Sequence, residues 1–264
     1  MLIDFHVHAF PDAVAEKAIP RLSACSGGVI PAYDGKIASL KSHMLENHVD
    51  CAVVLNIATN PHQEKKVNDF AISLLGDEML VPFGSVHPES ENVLSELERL
   101  AEAGVKGIKL HPDYQNFYVD EERMFPIYKK IAALGLITVF HAGIDIGYPT
   151  PVHCTPQRLL KVLDLFGEAP VIAAHFGGYM LWEEVTKYLC GTQVYFDTAF
   201  SYGKIPPDFA KEIILSHDPN RILLGSDLPW STAANEERLI RSLQLDAAVT
   251  DAILFNNAKR LLSI

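Results

Sequence analysis

Eight short apolar runs, each followed by a stretch that is helical in pattern or rich in turn residues, constrain the fold of this chain more than any other feature. They occupy residues 2–8, 52–58, 81–87, 107–111, 137–141, 171–175, 194–197 and 221–227. Their β-branched and apolar content over four to eight residues reads as strand. Between them, residues 90–103 carry Val93, Leu94, Leu97, Leu100 and Ala101 on one helical stripe and stop at Gly104, the residue expected just past a helix end. Residues 156–166 open with Thr155 as N-cap and Pro156 at the first helical position, and stop at Gly167. Strand and helix in alternation imply a parallel sheet with helical crossovers. Eight such units in 264 residues predict an α/β fold, a (β/α)8 barrel of the TIM type, with residues 1–264 as one domain. An open doubly wound sheet fits less well, because no Gly-x-Gly-x-x-Gly follows any strand.

The ends of these runs carry the chemistry. His8, His87, His111, His141, His175, Asp197 and Asp227 stand at or near strand ends, and a barrel places its active site at the C-terminal ends of its strands. Among the other histidines His43, His48 and His62 fall in helical patterns, and His87 reads as a satisfied, half-buried imidazole. His6 and His8 are two residues apart on a strand, so both rings project from one face. Two neutral imidazoles on one face make half of a zinc or iron site. Asp4 shares that parity and is expected to orient one of the rings.

A net charge of −11 excludes the basic footprint that nucleic acid or an anionic membrane surface requires. No window approaches the roughly 18 apolar residues of a membrane span, and Asp4 and His6 interrupt any signal-like start. Cys25, Cys51, Cys154 and Cys190 are scattered without a Cys-x-x-Cys, which fits reduced thiols in a cytoplasmic protein. Cys51 reads as a buried small hydrophobe. Cys154 follows His153, but neighbours in a chain rarely point at one another, so a Cys/His nucleophile is not assigned. A homodimer is expected only from the general prevalence of dimers.

Five segments in order, Asp4-Phe5-His6-Val7-His8, Gly107-Ile108-Lys109-Leu110-His111-Pro112, His141-Ala142-Gly143, Ala174-His175-Phe176-Gly177-Gly178 and Leu224-Gly225-Ser226-Asp227-Leu228-Pro229-Trp230, resemble the amidohydrolase superfamily over essentially the whole chain. The resemblance is to the amidohydrolase-2 group, which holds decarboxylases and a lactonase; the tail 257–262 is similar to its closing helix. It implies that His6, His8, His141 and Asp227 hold one divalent metal, Zn2+ before Mn2+ or Fe2+, leaving a position for water whose pKa the ion lowers. Asp227 would also accept a proton, and His175 would act as the acid/base. Some members carboxylate a strand-four lysine to bridge a second metal. Lys109 fits either that role or a cationic anchor for a substrate carboxylate, and one metal is favoured over two.

The partner is then a small, carboxylated organic substrate, with Lys109, His111, Arg21 and Trp230 as binding residues and Lys36 as a further cation. Tyr148, Phe200 and Tyr202 follow strand ends and could touch it or pack the loops, and residues 26–31 read as a lid or a surface loop. Hydrolysis of an ester, lactone or amide is preferred. Non-oxidative decarboxylation is the alternative, and a non-catalytic metal-binding barrel the remote one.

Overall fold

A computed structural model describes all 264 residues. In chain order the elements are β1 (Ile3–Val7), α1 (Asp12–Cys25), α2 (Ile37–Glu46), β2 (Cys51–Leu55), α3 (Glu64–Ser73), β3 (Leu80–Phe83), α4 (Val93–Ala103), β4 (Gly107–Leu110) and α5 (Phe125–Ala133). They continue with β5 (Ile137–Phe140), α6 (Pro156–Leu160), β6 (Val171–Ala173), α7 (Trp182–Tyr188), β7 (Tyr195–Asp197), α8 (Pro207–Ser216), β8 (Ile222–Leu223), α9 (Ala233–Ser242), α10 (Ala247–Asp251) and α11 (Asn257–Leu262). Ladders run parallel through β1-β2-β3 and through β4-β5-β6-β7-β8.

Two seams close the ring. Lys109 N–H donates to the Gly84 carbonyl at 2.8 Å beside the Gly84–Ile108 bridge, and Phe5 N–H donates to the Leu224 carbonyl at 2.8 Å. Closure leaves no free sheet edge, and the eight strands form a barrel as expected. Leu97 and Leu100 of α4 pack with Ile108 and Leu110 in the layer between helices and sheet. Inside the barrel, Ile3, Phe5, Val53, Leu55, Phe83, Val139, Ile172 and Leu223 form a separate cluster, which Ala258 and Leu262 of α11 join. No helix is long and apolar enough to cross a membrane.

A break in period decides the site. The β1–β2 register shifts between Asp4 and Val7, so the inward parity of Ile3 and Phe5 passes to His6 and His8. The expected contact of Asp4 with an imidazole is therefore not formed. Asp4 instead accepts from His6 N–H at 3.1 Å, Ser226 N–H at 2.9 Å and Ser226 Oγ at 2.5 Å, holding the bulge to the β8 loop. Burial pushes its carboxyl up to about 7.

Other boundaries differ from the sequence expectation for local reasons. The strands stop short of their terminal histidines, which lie in the loops at the mouth. Residues 156–166 divide into α6 and a 3-10 turn over Leu163–Phe166. His43 lies in α2, His62 in the 3-10 turn Pro61–Gln63, and His48 in a turn past α2 at φ 55° rather than in a helix. Gly104 closes α4 at φ 92° as expected.

Candidate metal centre

His6 and His8 come to the mouth together because of the bulge, and their ring protons are fixed from outside the motif. His6 Nδ1 lies 2.8 Å from Asp197 Oδ2, and His8 Nδ1 lies 2.9 Å from the Leu55 carbonyl. Both partners only accept, so each Nδ1 carries the proton and each Nε2 a lone pair. The two Nε2 atoms nonetheless face one another at 3.2 Å, with Asp227 Oδ1 at 3.1 Å from His8 and 3.4 Å from His6. Two lone pairs and a carboxylate oxygen at such separations repel unless a cation lies among them. Donors bound at about 2.0–2.1 Å in a tetrahedron stand about 3.3 Å apart, so the three fit a divalent ion.

The surroundings hold this geometry. Asp227 sits at φ 64° and His175 at φ 62°, a region that non-glycine residues adopt only where the structure imposes it. Asp227 N–H donates to the His6 carbonyl at 2.8 Å, and His175 N–H to Asp197 Oδ1 at 2.9 Å. Gly225 is required by space, since a Cβ there would meet His6 Cβ at 2.9 Å. Burial and the neighbouring Lys109 hold the His6 imidazole well below its ordinary range, which keeps it neutral for a ligand role. Lys109 itself is 1% exposed, its Nζ is 3.5 Å from His6 Nε2, and burial lowers its amine to about 8 against the pull of Asp197 and Asp227.

His141 belongs to a second group. His175 Nδ1 donates to the Ala199 carbonyl at 2.9 Å, and its Nε2 lies 3.1 Å from His141 Nδ1. The His141 ring stacks on His111 at 4.1 Å, His111 stacks on Tyr114 at 3.7 Å, and Asp145 Oδ2 faces both histidines. His141, His111 and Asp145 form one cluster of ligand-type atoms; His6, His8 and Asp227 form another.

Not every expected residue arrives. Arg21 is exposed on α1, and Lys36 pairs with Glu16 at 3.0 Å; no bond ties either to the clusters. Trp230 is half-buried and its backbone N–H donates to the Asp227 carbonyl at 2.8 Å. Tyr148 and Tyr202 are exposed, and Phe200 packs on Tyr179 at 5.8 Å. Cys154 is buried with its thiol pushed well above the usual range by burial. Asp197 was marked in the sequence only as a strand end, yet it orients His6 and anchors His175. Asp145 and Tyr114 were not singled out in the sequence, although each lies within four residues of a histidine partner, Asp145 of His141 and Tyr114 of His111.

The amidohydrolase-2 family model, described as Amidohydrolase, matches residues 3–264. No curated protein matches the chain. Among solved structures it is similar to 5-carboxyvanillate decarboxylase from Sphingomonas paucimobilis, at 15% identity and TM-score 0.73, covering 100% of this chain and 99% of that one. An uncharacterized TIM-barrel protein from Bordetella bronchiseptica gives 17% and 0.76, covering 99% and 98%. A dihydroxybenzoic acid decarboxylase from a Polaromonas species, with bound manganese and the inhibitor 2-nitroresorcinol, gives 17% and 0.72, covering 99% and 96%. At such identities these structural likenesses establish the barrel, while the family model spans the motifs that carry the site. The chain belongs to the amidohydrolase family and is a metal-dependent enzyme built on its barrel.

Proposed function

We propose that the protein is a metal-dependent carboxy-lyase that removes CO2 from a small carboxylic acid, with one divalent ion held by His6, His8 and Asp227 and by His141 as fourth ligand. The observation that carries this reading is Lys109, an amine 1% exposed and 3.5 Å from a ligand nitrogen. A buried ammonium beside a metal-type triad suits a substrate carboxylate that has been stripped of water. Hydrolysis needs a water in the same space, whereas loss of CO2 proceeds best without one. The full-length likeness to two decarboxylases supports lyase over hydrolase chemistry. The manganese in one of them supports Mn2+ as the first ion to test, with Zn2+ suited to the same nitrogen-rich donors.

When bound, the ion polarises a substrate oxygen and offsets developing negative charge. Lys109 holds the carboxylate. As the carbon–carbon bond breaks, its electron pair stays on the carbon that loses CO2. His175, oriented by its bond to the Ala199 carbonyl, takes up a solvent proton at Nε2 before the reaction and gives that proton to the carbon that loses CO2, returning to its neutral form. Asp227 completes the ligand set, and the Leu55 carbonyl orients His8.

A second reading rests on the 3.1 Å approach of His141 Nδ1 to His175 Nε2. These atoms, with Lys109 carboxylated, would hold a second ion; an amine lowered to about 8 is partly neutral near pH 7–8 and open to addition of CO2. In the one-metal reading His141 turns toward the same ion as a fourth ligand. Metal analysis separates the two, with one equivalent per chain expected and two supporting the second ion. The four free thiols are consistent with a cytoplasmic setting.

The activity test incubates manganese-loaded protein with 2,6-dihydroxybenzoate, 5-carboxyvanillate and a set of lactones and esters. CO2 release from an acid is expected. Incorporation of solvent oxygen into a lactone or ester without CO2 release from any acid would overturn the lyase.

A further inference from the structure

We infer that Tyr179 is a further substrate-binding residue, its hydroxyl donating to the carboxylate of the acid on the side of the mouth where His175 works. The inference rests on the carboxy-lyase reading and adds to it a second donor that grips the carboxylate together with Lys109. Two tyrosines are buried, Tyr128 and Tyr179, and they differ at the hydroxyl. Tyr128 lies in the layer between helices and sheet, and its hydroxyl donates to the Val119 carbonyl at 2.9 Å. Tyr179 is 9% exposed; its hydroxyl makes no hydrogen bond within the protein, and the oxygen is not sealed from solvent. A buried tyrosine hydroxyl normally has a partner, and a phenylalanine would fill the same space without the cost of stripping that group of water. Burial, and then the nearby Asp227 carboxylate, push the hydroxyl above its ordinary range. The Lys109 amine also feels Asp227, so the two donors converge on one space beside that carboxylate.

The loop after β6 holds Tyr179 rigidly against the loop after β5. Tyr179 N–H donates to the Ala142 carbonyl at 2.9 Å, and Ile144 N–H donates to the Tyr179 carbonyl at 3.0 Å. A Cβ at Gly143 would lie 2.1 Å from the Tyr179 nitrogen, so this approach requires the glycine. The ring centroid stands 6.1 Å from that of His175 and 5.8 Å from those of Trp182 and Phe200. Trp182 in turn donates from its indole N–H to the His175 carbonyl at 3.2 Å, so one aromatic group positions both the acid/base and the tyrosine. A phenol keeps its proton at neutral pH and is free to donate it. An ionised carboxyl group offers only acceptors, and its two oxygens can take Lys109 on one and Tyr179 on the other. Hydrogen bonds to a charged oxygen are also the stronger kind.

The probe is benzoate, whose only hydrogen-bonding group is its carboxylate, titrated by calorimetry into manganese-loaded protein. The wild type is expected to bind it, and Tyr179→Phe, which keeps the ring, to bind about tenfold or more weakly, the cost of one hydrogen bond to a charged group. Metal content is expected to be equal in the two proteins. Thermal unfolding of Tyr179→Phe is expected at or above the wild-type temperature, since the variant buries no unpaired hydroxyl. No binding to the wild type, or equal affinity in both, overturns the assignment. So does loss of metal from Tyr179→Phe, which would give the hydroxyl to the ion's own shell, and so does a lowered unfolding temperature, which would make it structural. CO2 release from the acids is read separately. Weaker benzoate binding in Tyr179→Phe without CO2 release from any acid sinks the lyase alone, and CO2 release with unchanged benzoate affinity sinks the tyrosine alone.

Discussion

At its mouth the barrel gathers His6, His8 and Asp227 in one cluster and His111, His141 and Asp145 in another. Both contain two imidazoles and a carboxylate, and both are largely buried. They differ in what reaches Nδ1. In the first, Asp197 and the Leu55 carbonyl accept from Nδ1 and leave two Nε2 lone pairs converging. In the second, a backbone N–H donates to His111 Nδ1 and places a proton on Nε2. Residue type makes the two clusters look alike; the group behind each ring sets which nitrogen it presents, a lone pair at Nε2 for His6 and His8 and an N–H at Nε2 for His111.

The strongest way to break this contrast is at the ligands. His8→Ala is expected to abolish metal binding, beyond the roughly 10–100-fold cost of losing a supporting partner, while Asp145→Asn leaves metal content unchanged. Metal analysis of both variants checks this, and the reverse order would exchange the roles of the clusters.

Lys109 comes next. Its folded-state amine, near 8, lies below its ordinary 10.5, so in metal-free protein its burial costs stability below pH 8. Between about 8 and 10.5 the unfolded chain holds a proton that the folded protein has released, and stability rises with pH across that window. Lys109→Met is expected to stabilise the metal-free protein by about 3 kcal/mol at pH 7, with the gain fading above pH 8. Denaturant unfolding at pH 7 and pH 10 measures it; a gain that grows with pH would show the sign is wrong.

Asp197→Asn tests the proton assignment itself. The amide can present a donor to His6 Nδ1 and favour the wrong tautomer, and metal affinity is expected to fall about 10–100-fold. Competition with a chelating dye reads the constant, and an unchanged value would remove Asp197 from the argument. The smallest effect falls on the second cluster: Tyr114→Leu removes a stacked ring and should cost about 1 kcal/mol beyond the lost area. Thermal unfolding detects it, while metal affinity stays at the wild-type value.

The sequence made the scaffold and the mouth legible for local reasons. Strand and helix periods are written in neighbouring residues, so eight alternations gave the barrel, and the position of a histidine at a strand end gave its exposure to the mouth. His6 and His8 could be paired from strand parity, whereas the set of His6, His8, His141 and Asp227 came from the resemblance to the family. Asp4 could not be read correctly, because parity alone places it with the imidazoles and a one-residue bulge moves it to Ser226. Asp145 was silent in the sequence, since His111 lies on another strand and only the pairing of β4 with β5 sets the two 3.5 Å apart.

What the sequence by itself determined is therefore which residues reach the C-terminal face of an amidohydrolase barrel. The tertiary structure alone decided which ring nitrogen carries a proton, and through it which cluster suits a cation. A proton's place on an imidazole depends on the acceptor or donor behind it. For His6 that acceptor is a carboxylate 191 residues away, and for His8 a carbonyl 47 residues away, separations that no local pattern encodes.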